Sequence, residues 1–134
     1  MYAVIRKPED SVLCTCLSKE AAIVAAQLEK SKEGTDIANL RSAYAAGQVA
    51  ALSGLSDGSL ITAAKSYGYD PNDGDGLVST EAKGAKIGQG TSTNGNADTS
   101  KLPKECVYSN GTDVRQHPIR LKFNTQGLTE VKFK

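Results

Sequence analysis

Residues 18–54 constrain this chain more than any other stretch, because they read as one helix. Ser18 is an N-cap residue, and Lys19 and Glu20 open the first turn before Ala21. Ala, Leu, Lys, Glu and Gln dominate, and such side chains lose little rotamer freedom in a helix. Apolar positions at Ile37, Leu40, Tyr44, Ala51 and Leu55 form a stripe at helical spacing. Glu29, Lys30, Lys32, Glu33 and Asp36 crowd the preceding turns, Gly34 weakens them by up to ~1 kcal/mol, and Gly54 stands where a C-cap glycine belongs. At 1.5 Å per residue, a helix over 18–54 is about 55 Å long. A domain of this size has a radius of gyration of about 14 Å. Part of the helix is therefore expected to project from the domain or to bind something else.

The flanking segments are less regular. In residues 1–17, Met1 to Ile5 and Val12 to Leu17 read as short strands around a Pro8-Glu9-Asp10 turn. Residues 55–103 read mostly as loop, with one short helix from Leu60 to Tyr67 ended by Gly68. From Gly68 to Thr99, Gly, Asn, Asp, Ser and Thr prevail, which points to a variable surface region or disorder. Residues 104–134 read as an antiparallel meander. Cys106-Val107-Tyr108 runs into a hairpin-type turn at Ser109-Asn110-Gly111. Ile119, Leu121 and Phe123 alternate with polar neighbours, Thr125-Gln126-Gly127 turns the chain, and Val131 and Phe133 continue the alternation. The expected class is α+β: a long N-terminal helix packed by its apolar stripe on a small antiparallel sheet, with a Gly/Asn/Ser-rich loop between.

Composition narrows the function. The chain has 134 residues, which fits one domain. Sixteen Lys and Arg oppose 15 Asp and Glu, so no electrostatic footprint for nucleic acid exists. The longest apolar stretch, Ala21 to Ala26, is far short of the roughly 20 residues of a membrane span, and no secretory signal is readable. Cys14 and Cys16 are too close to bridge each other, and Cys106 stands alone. A Cys16–Cys106 disulfide is conceivable, but three reduced cysteines is the simpler reading.

Chemistry-bearing motifs are sparse. The single histidine, His117, sits between Gln116 and Pro118 with no nucleophile or second base in reach of the sequence pattern, so it reads as a surface residue. No phosphate loop, nucleophile elbow or zinc-protease motif occurs, and no enzyme is expected. Asp70, Asn72, Asp75 and Glu81 are the candidate metal ligands. Counting from Asp70, Asn72 and Glu81 fall where a Ca²⁺ loop requires ligands, but Gly74 and Asp75 break the register, so an ordinary turn-rich loop competes. Asn110-Gly111-Thr112 matches a glycosylation sequon and equally makes a turn, which is preferred.

The run from Ala26 to Ala45, AQLEKSKEGTDIANLRSAYA, resembles the helix of type IV pilin and pseudopilin-like proteins of Gram-positive bacteria. The resemblance covers about residues 26–134, densely to Ala45 and more loosely beyond. It implies a structural subunit of a type IV pilus or type II secretion-like pseudopilus. Its partners would be other pilin subunits, it would need no cofactor, and its place would be the cell surface. It further implies a helix whose second half packs on a sheet while the first half enters the membrane and then the filament core, and a variable loop on the filament exterior. Leu28, Ile37, Leu40, Tyr44 and Leu52 are the helix positions expected to serve core and assembly. The family's leader, peptidase site, glutamate and apolar segment have no counterpart in residues 1–25, where Lys7, Glu9, Asp10, Lys19 and Glu20 interrupt any apolar run. Each such charge at a bilayer centre costs ~2.5–3.5 kcal/mol. Residues 1–25 are therefore expected to be a non-family segment, and 26–134 the pilin-like domain, with helix to about 54, loop at 55–103 and meander at 104–134. The alternative, from another functional class, is an extracellular binding module that uses residues 70–81 for Ca²⁺ or another ligand.

Overall fold

A computed structural model describes the backbone of residues 9–134 and the side chains of residues 25–134. The strand expected at Met1 to Ile5 lies outside the described residues, as do the side chains of Cys14 and Cys16. Helix α1 spans Glu9–Ser53. It therefore starts earlier than the Ser18 cap, and Val12 to Leu17 are helical, not a strand. A strand needs a partner for its backbone groups, and among the described residues no other segment pairs with this one, whereas the helix satisfies them internally. Gly34 is accommodated on the exposed side of the helix. The helix ends as expected at Gly54, which adopts φ +74° and donates its N–H to Ala50 O at 2.8 Å. Among the described residues, no helix is long and apolar enough to cross a membrane.

Five strands follow: β1 (Ser66–Tyr69), β2 (Leu77–Val78), β3 (Cys106–Val107), β4 (Ile119–Asn124) and β5 (Gly127–Phe133), with a 3-10 turn at Glu81–Lys83. They form one sheet in the order β2-β1-β4-β5-β3. The architecture is α+β as expected, but the sheet is mixed. Strand β3 runs parallel to β5, pairing Cys106 with Val131, while the other pairs are antiparallel. Residues 104–134 are thus not a simple meander. Within this stretch only β4 and β5 form a hairpin, closed by Thr125-Gln126 between the paired Asn124 and Gly127. The turn at Ser109-Asn110-Gly111 does not fold the chain back onto β3, because β5 lies between β3 and β4.

The loop expected at 55–103 supplies two of the five strands, and the expected helix from Leu60 to Tyr67 is replaced by turns leading into β1. Ser66 to Gly68 pair with Lys122 to Arg120 of β4, which buries both Tyr67 and Tyr69. Local propensity gives way here to an available sheet edge.

The core lies between α1 and the sheet. Leu40, Ile119, Leu121 and Val131 are fully buried, joined by Tyr67, Phe123, Leu128 and Phe133. Tyr67 and Phe123 meet edge to face at 5.6 Å. Ala43, Gly47 and Ala50 present small residues to the sheet, so the helix approaches it closely. A Cβ on Gly47 would stand 2.8 Å from Leu121 Cδ2 and 3.0 Å from Leu128 Cδ2. Of the expected stripe, Ile37 and Leu40 are buried and Tyr44 and Leu55 half-buried, whereas Ala51 is exposed. Leu28 and Leu52 are 57% and 88% exposed, so neither serves this chain's own core.

Candidate functional site

Among the described side chains, the buried positions of α1 are Glu29, Glu33, Asp36, Ile37, Leu40, Ala43, Gly47 and Ala50. This is one continuous stripe at helical spacing, and its first half is acidic. Glu29, Glu33 and Asp36 are 4%, 0% and 0% exposed. Buried carboxylates need hydrogen-bond donors, and here the irregular chain around residues 89–111 supplies them. Glu29 accepts the Thr91 N–H at 2.7 Å and its hydroxyl at 2.6 Å. Glu33 accepts the N–H groups of Gly95 at 3.0 Å, Ala97 at 3.2 Å and Gly111 at 3.2 Å. Asp36 accepts those of Gln89 and Gly90, both at 2.8 Å, and the Tyr108 hydroxyl at 2.7 Å.

The segment is therefore a strap laid along the helix. The sequence suggests a variable or disordered loop at Gly68 to Thr99. Instead, Gly88, Gly90, Gly95 and Ala97 are buried. The strap's backbone amides have no strand to pair with, and the carboxylates take that strand's place. Close approach requires glycine at 95, where a Cβ would stand 2.7 Å from Glu29 C and collide with Lys30 N.

The described ion pairs join Arg115 to Asp113 and Arg120 to Glu81 and Glu130, and none of them includes the three helix carboxylates. Burial pushes Glu29 up, but the hydroxyl and amide of Thr91 outweigh it and hold the carboxyl below its ordinary value of 4.5. At Asp36 burial wins over its three donors, and the carboxyl is raised. The Tyr108 hydroxyl is pushed far up, by burial first and then by its bond to Asp36.

The Ca²⁺ candidates are not brought together. Asp70 Oδ1 accepts the Asn72 N–H at 2.9 Å, a local turn between β1 and β2, and Asn72 itself is exposed. Asp75 turns away to Ser56, accepting its N–H at 3.1 and 3.2 Å and its hydroxyl at 2.9 Å. Glu81 faces Arg120 Nε at 3.8 Å. Among the described residues, no group of three His, Cys, Asp or Glu side chains is arranged to hold a metal.

His117 is exposed. Cys106 is a buried free thiol beside Leu40 O at 3.7 Å, pushed up to about 11 by burial and then by Glu105. An open groove of about 670 Å³ separates the end of α1 from the β4–β5 turn. Gln48, Leu52, Ile61 and Phe123 are among its lining residues, none of which is titratable.

The face of α1 turned away from the sheet has its own pattern. Leu28, Ser31, Thr35, Ala38, Ser42, Ala45, Val49 and Leu52 recur at alternating steps of three and four residues, and all are exposed. None is charged, although Lys30, Lys32 and Arg41 lie on the same helix. The steps of three and four are those that keep side chains on one helix face, and this face carries two leucines, one valine and five small residues.

The acidic half of the inner stripe is the feature that sequence reading missed. Its signal was the phase of Glu29, Glu33 and Asp36, which continues that of Leu40 and Ala43. Comparison with known proteins returns no matching family model, no matching curated protein and no matching solved structure.

Proposed function

We propose that the chain is a structural subunit of a filament of the type IV pilus or type II secretion-like pseudopilus class, assembled through α1 with other pilin subunits at the cell surface. One observation carries the reading: the uncharged seam from Leu28 to Leu52 on the helix face that its own sheet leaves free. Small residues along such a seam let helix axes approach to about 8–10 Å and give the interface its packing. Leu28, Val49 and Leu52 supply apolar surface at its two ends, and 57%, 63% and 88% of each is exposed in the single chain. Hydrophobic side chains left open in one line, with charges kept to either side, suit burial by a neighbour. The resemblance of Ala26 to Ala45 to pilin helices supports the same reading. The strap then has a structural role, since it braces the helix through Glu29, Glu33 and Asp36 on the face opposite the seam.

Cysteine cross-linking tests the reading. Ala38→Cys and Ala45→Cys are introduced into the full-length gene product with Cys14→Ser and Cys16→Ser, expressed in the source cell and treated with a short bismaleimide. A ladder of regularly spaced multimers is expected. Monomer alone, with both cysteines open to a maleimide label, overturns it.

A further inference from the structure

Two Asn-Gly sequences, Asn94-Gly95 and Asn110-Gly111, meet at one carboxylate oxygen. Glu33 Oε2 accepts the Gly95 N–H at 3.0 Å and the Gly111 N–H at 3.2 Å. We propose that the two form a paired deamidation site, kept silent by Glu33 while the strap is closed and used when it opens. The inference does not depend on the filament reading.

Asn-Gly is the dipeptide most open to this chemistry, because glycine places no side chain in the path of attack. The glycine nitrogen loses its proton and attacks the asparagine Cγ. A C–N bond closes a succinimide ring, the Cγ–Nδ2 bond breaks, and ammonia leaves with the proton. Water then opens the ring to aspartate or isoaspartate. Water is the sole co-reactant, and nothing is oxidised or reduced.

The closed strap blocks each step. A nitrogen whose proton is held by a buried carboxylate resists deprotonation, since the second negative charge would form beside the first. The hydrogen bond also aims both glycine nitrogens at Glu33. The carboxamides are pinned as well: Asn110 Nδ2 donates to Ala97 O at 2.8 Å, and Asn94 Oδ1 accepts the Asn96 N–H at 2.7 Å. Attack at Cγ places negative charge on Oδ1. At Asn110 that oxygen is buried with no donor, so the intermediate has nothing to stabilise it. Asn94 is exposed and its Oδ1 already has a donor. While the strap is closed, Asn110 is therefore the better protected of the two.

Deamidation at Asn110 is not neutral for the fold. Aspartate there replaces a donor facing Ala97 O with an anion and adds charge near Glu33. A strap that has opened long enough to react at both sites cannot close in the same way.

Peptide mapping by mass spectrometry tests the proposal on the purified chain in mildly alkaline buffer. Folded protein is expected to deamidate at both sites about tenfold or more slowly than the same chain in urea, the factor that one hydrogen bond to a charged group supplies. Equal rates overturn it. Glu33→Gln, checked for folding by circular dichroism, accelerates both sites, and a folded variant with wild-type rates overturns the role of Glu33. Asn110→Asp is independent of Glu33 substitution. Its Gly95 and Gly111 amides are expected to exchange with deuterium about tenfold or more faster than in wild type, the same factor. Unchanged protection overturns the effect on closure.

Discussion

Tyr108 donates its hydroxyl to Asp36 Oδ2 at 2.7 Å, at the point where the inner stripe of α1 changes from acidic to apolar. Its ring lies 6.1 Å from that of Phe133, so one residue joins the strap to both helix and sheet. Tyr108→Phe keeps the ring and removes the donor, leaving Asp36 the two amides of Gln89 and Gly90. A hydrogen bond to a charged group contributes about 1.5–3 kcal/mol, and that is the expected loss in a urea denaturation series. A loss below about 0.5 kcal/mol, the scatter of ordinary surface changes, contradicts the tie.

Three glycines separate propensity from packing. Nothing stands within 4 Å of a Cβ on Gly34, so Gly34→Ala is expected to stabilise the chain by up to ~1 kcal/mol. Gly47→Ala gains the same propensity but meets Leu121 Cδ2 at 2.8 Å. Overpacking costs about 1–3 kcal/mol, so a net loss is expected. At Gly95 the obstacles are backbone atoms of Glu29 and Lys30, which cannot rotate away. Gly95→Ala should lift the strap and leave Glu33 short of a donor, for a loss of about 2–3 kcal/mol. The order of the three thermal midpoints checks the argument, and Gly95→Ala ranking above Gly34→Ala sinks it.

Acid stability follows from opposite shifts at the two ends of the carboxylate row. Glu29 is lowered in the folded chain. Its contribution is complete above the unfolded value near 4.5 and is lost as pH falls through the folded one. Asp36 is raised, so it favours the folded state at low pH and that contribution is lost as pH rises through its folded value. Glu29→Gln should therefore flatten the fall in urea midpoint below about pH 4.5. Asp36→Asn should remove the opposing term and leave a steeper acid limb. An unchanged acid limb in Glu29→Gln rejects the assignment.

The alternation at Ile119, Leu121 and Phe123 made the β4–β5 hairpin legible, and Gly54 made the helix end legible. Period and turn chemistry act within a few residues, so sequence carries them openly. The parallel seat of β3 beside β5 depends on which sheet edge is free, and no local pattern in Cys106-Val107 encodes it. The strap was hidden for a different reason. Acidic residues on a helix normally mark its wet face, and Glu29, Glu33 and Asp36 reverse that rule only because Gly90 and Gly95 bring amides to them. A polar loop with few large apolar residues reads as disorder until its donors are matched to acceptors elsewhere. At Asp70 to Glu81 the sequence showed residue types but not their partners. Asp75 was already committed to Ser56 and Glu81 turned to Arg120.

Ala45 tests the outer seam without disturbing the inner one. It is exposed, on the uncharged face between Ser42 and Val49. Ala45→Lys keeps a good helix former there, so the stability of the isolated chain should stay within about 0.5 kcal/mol of wild type. In a helix-helix seam the same change inserts a long cation where two backbones approach, which steric overlap and desolvation both oppose. Cross-linking through Ala38→Cys should then lose its ladder. Lys122→Ala, on an exposed position of β4, serves as the comparison and should leave the ladder intact. A full ladder in Ala45→Lys would place the assembly surface elsewhere, for the small residues of this face would then have no partner to admit.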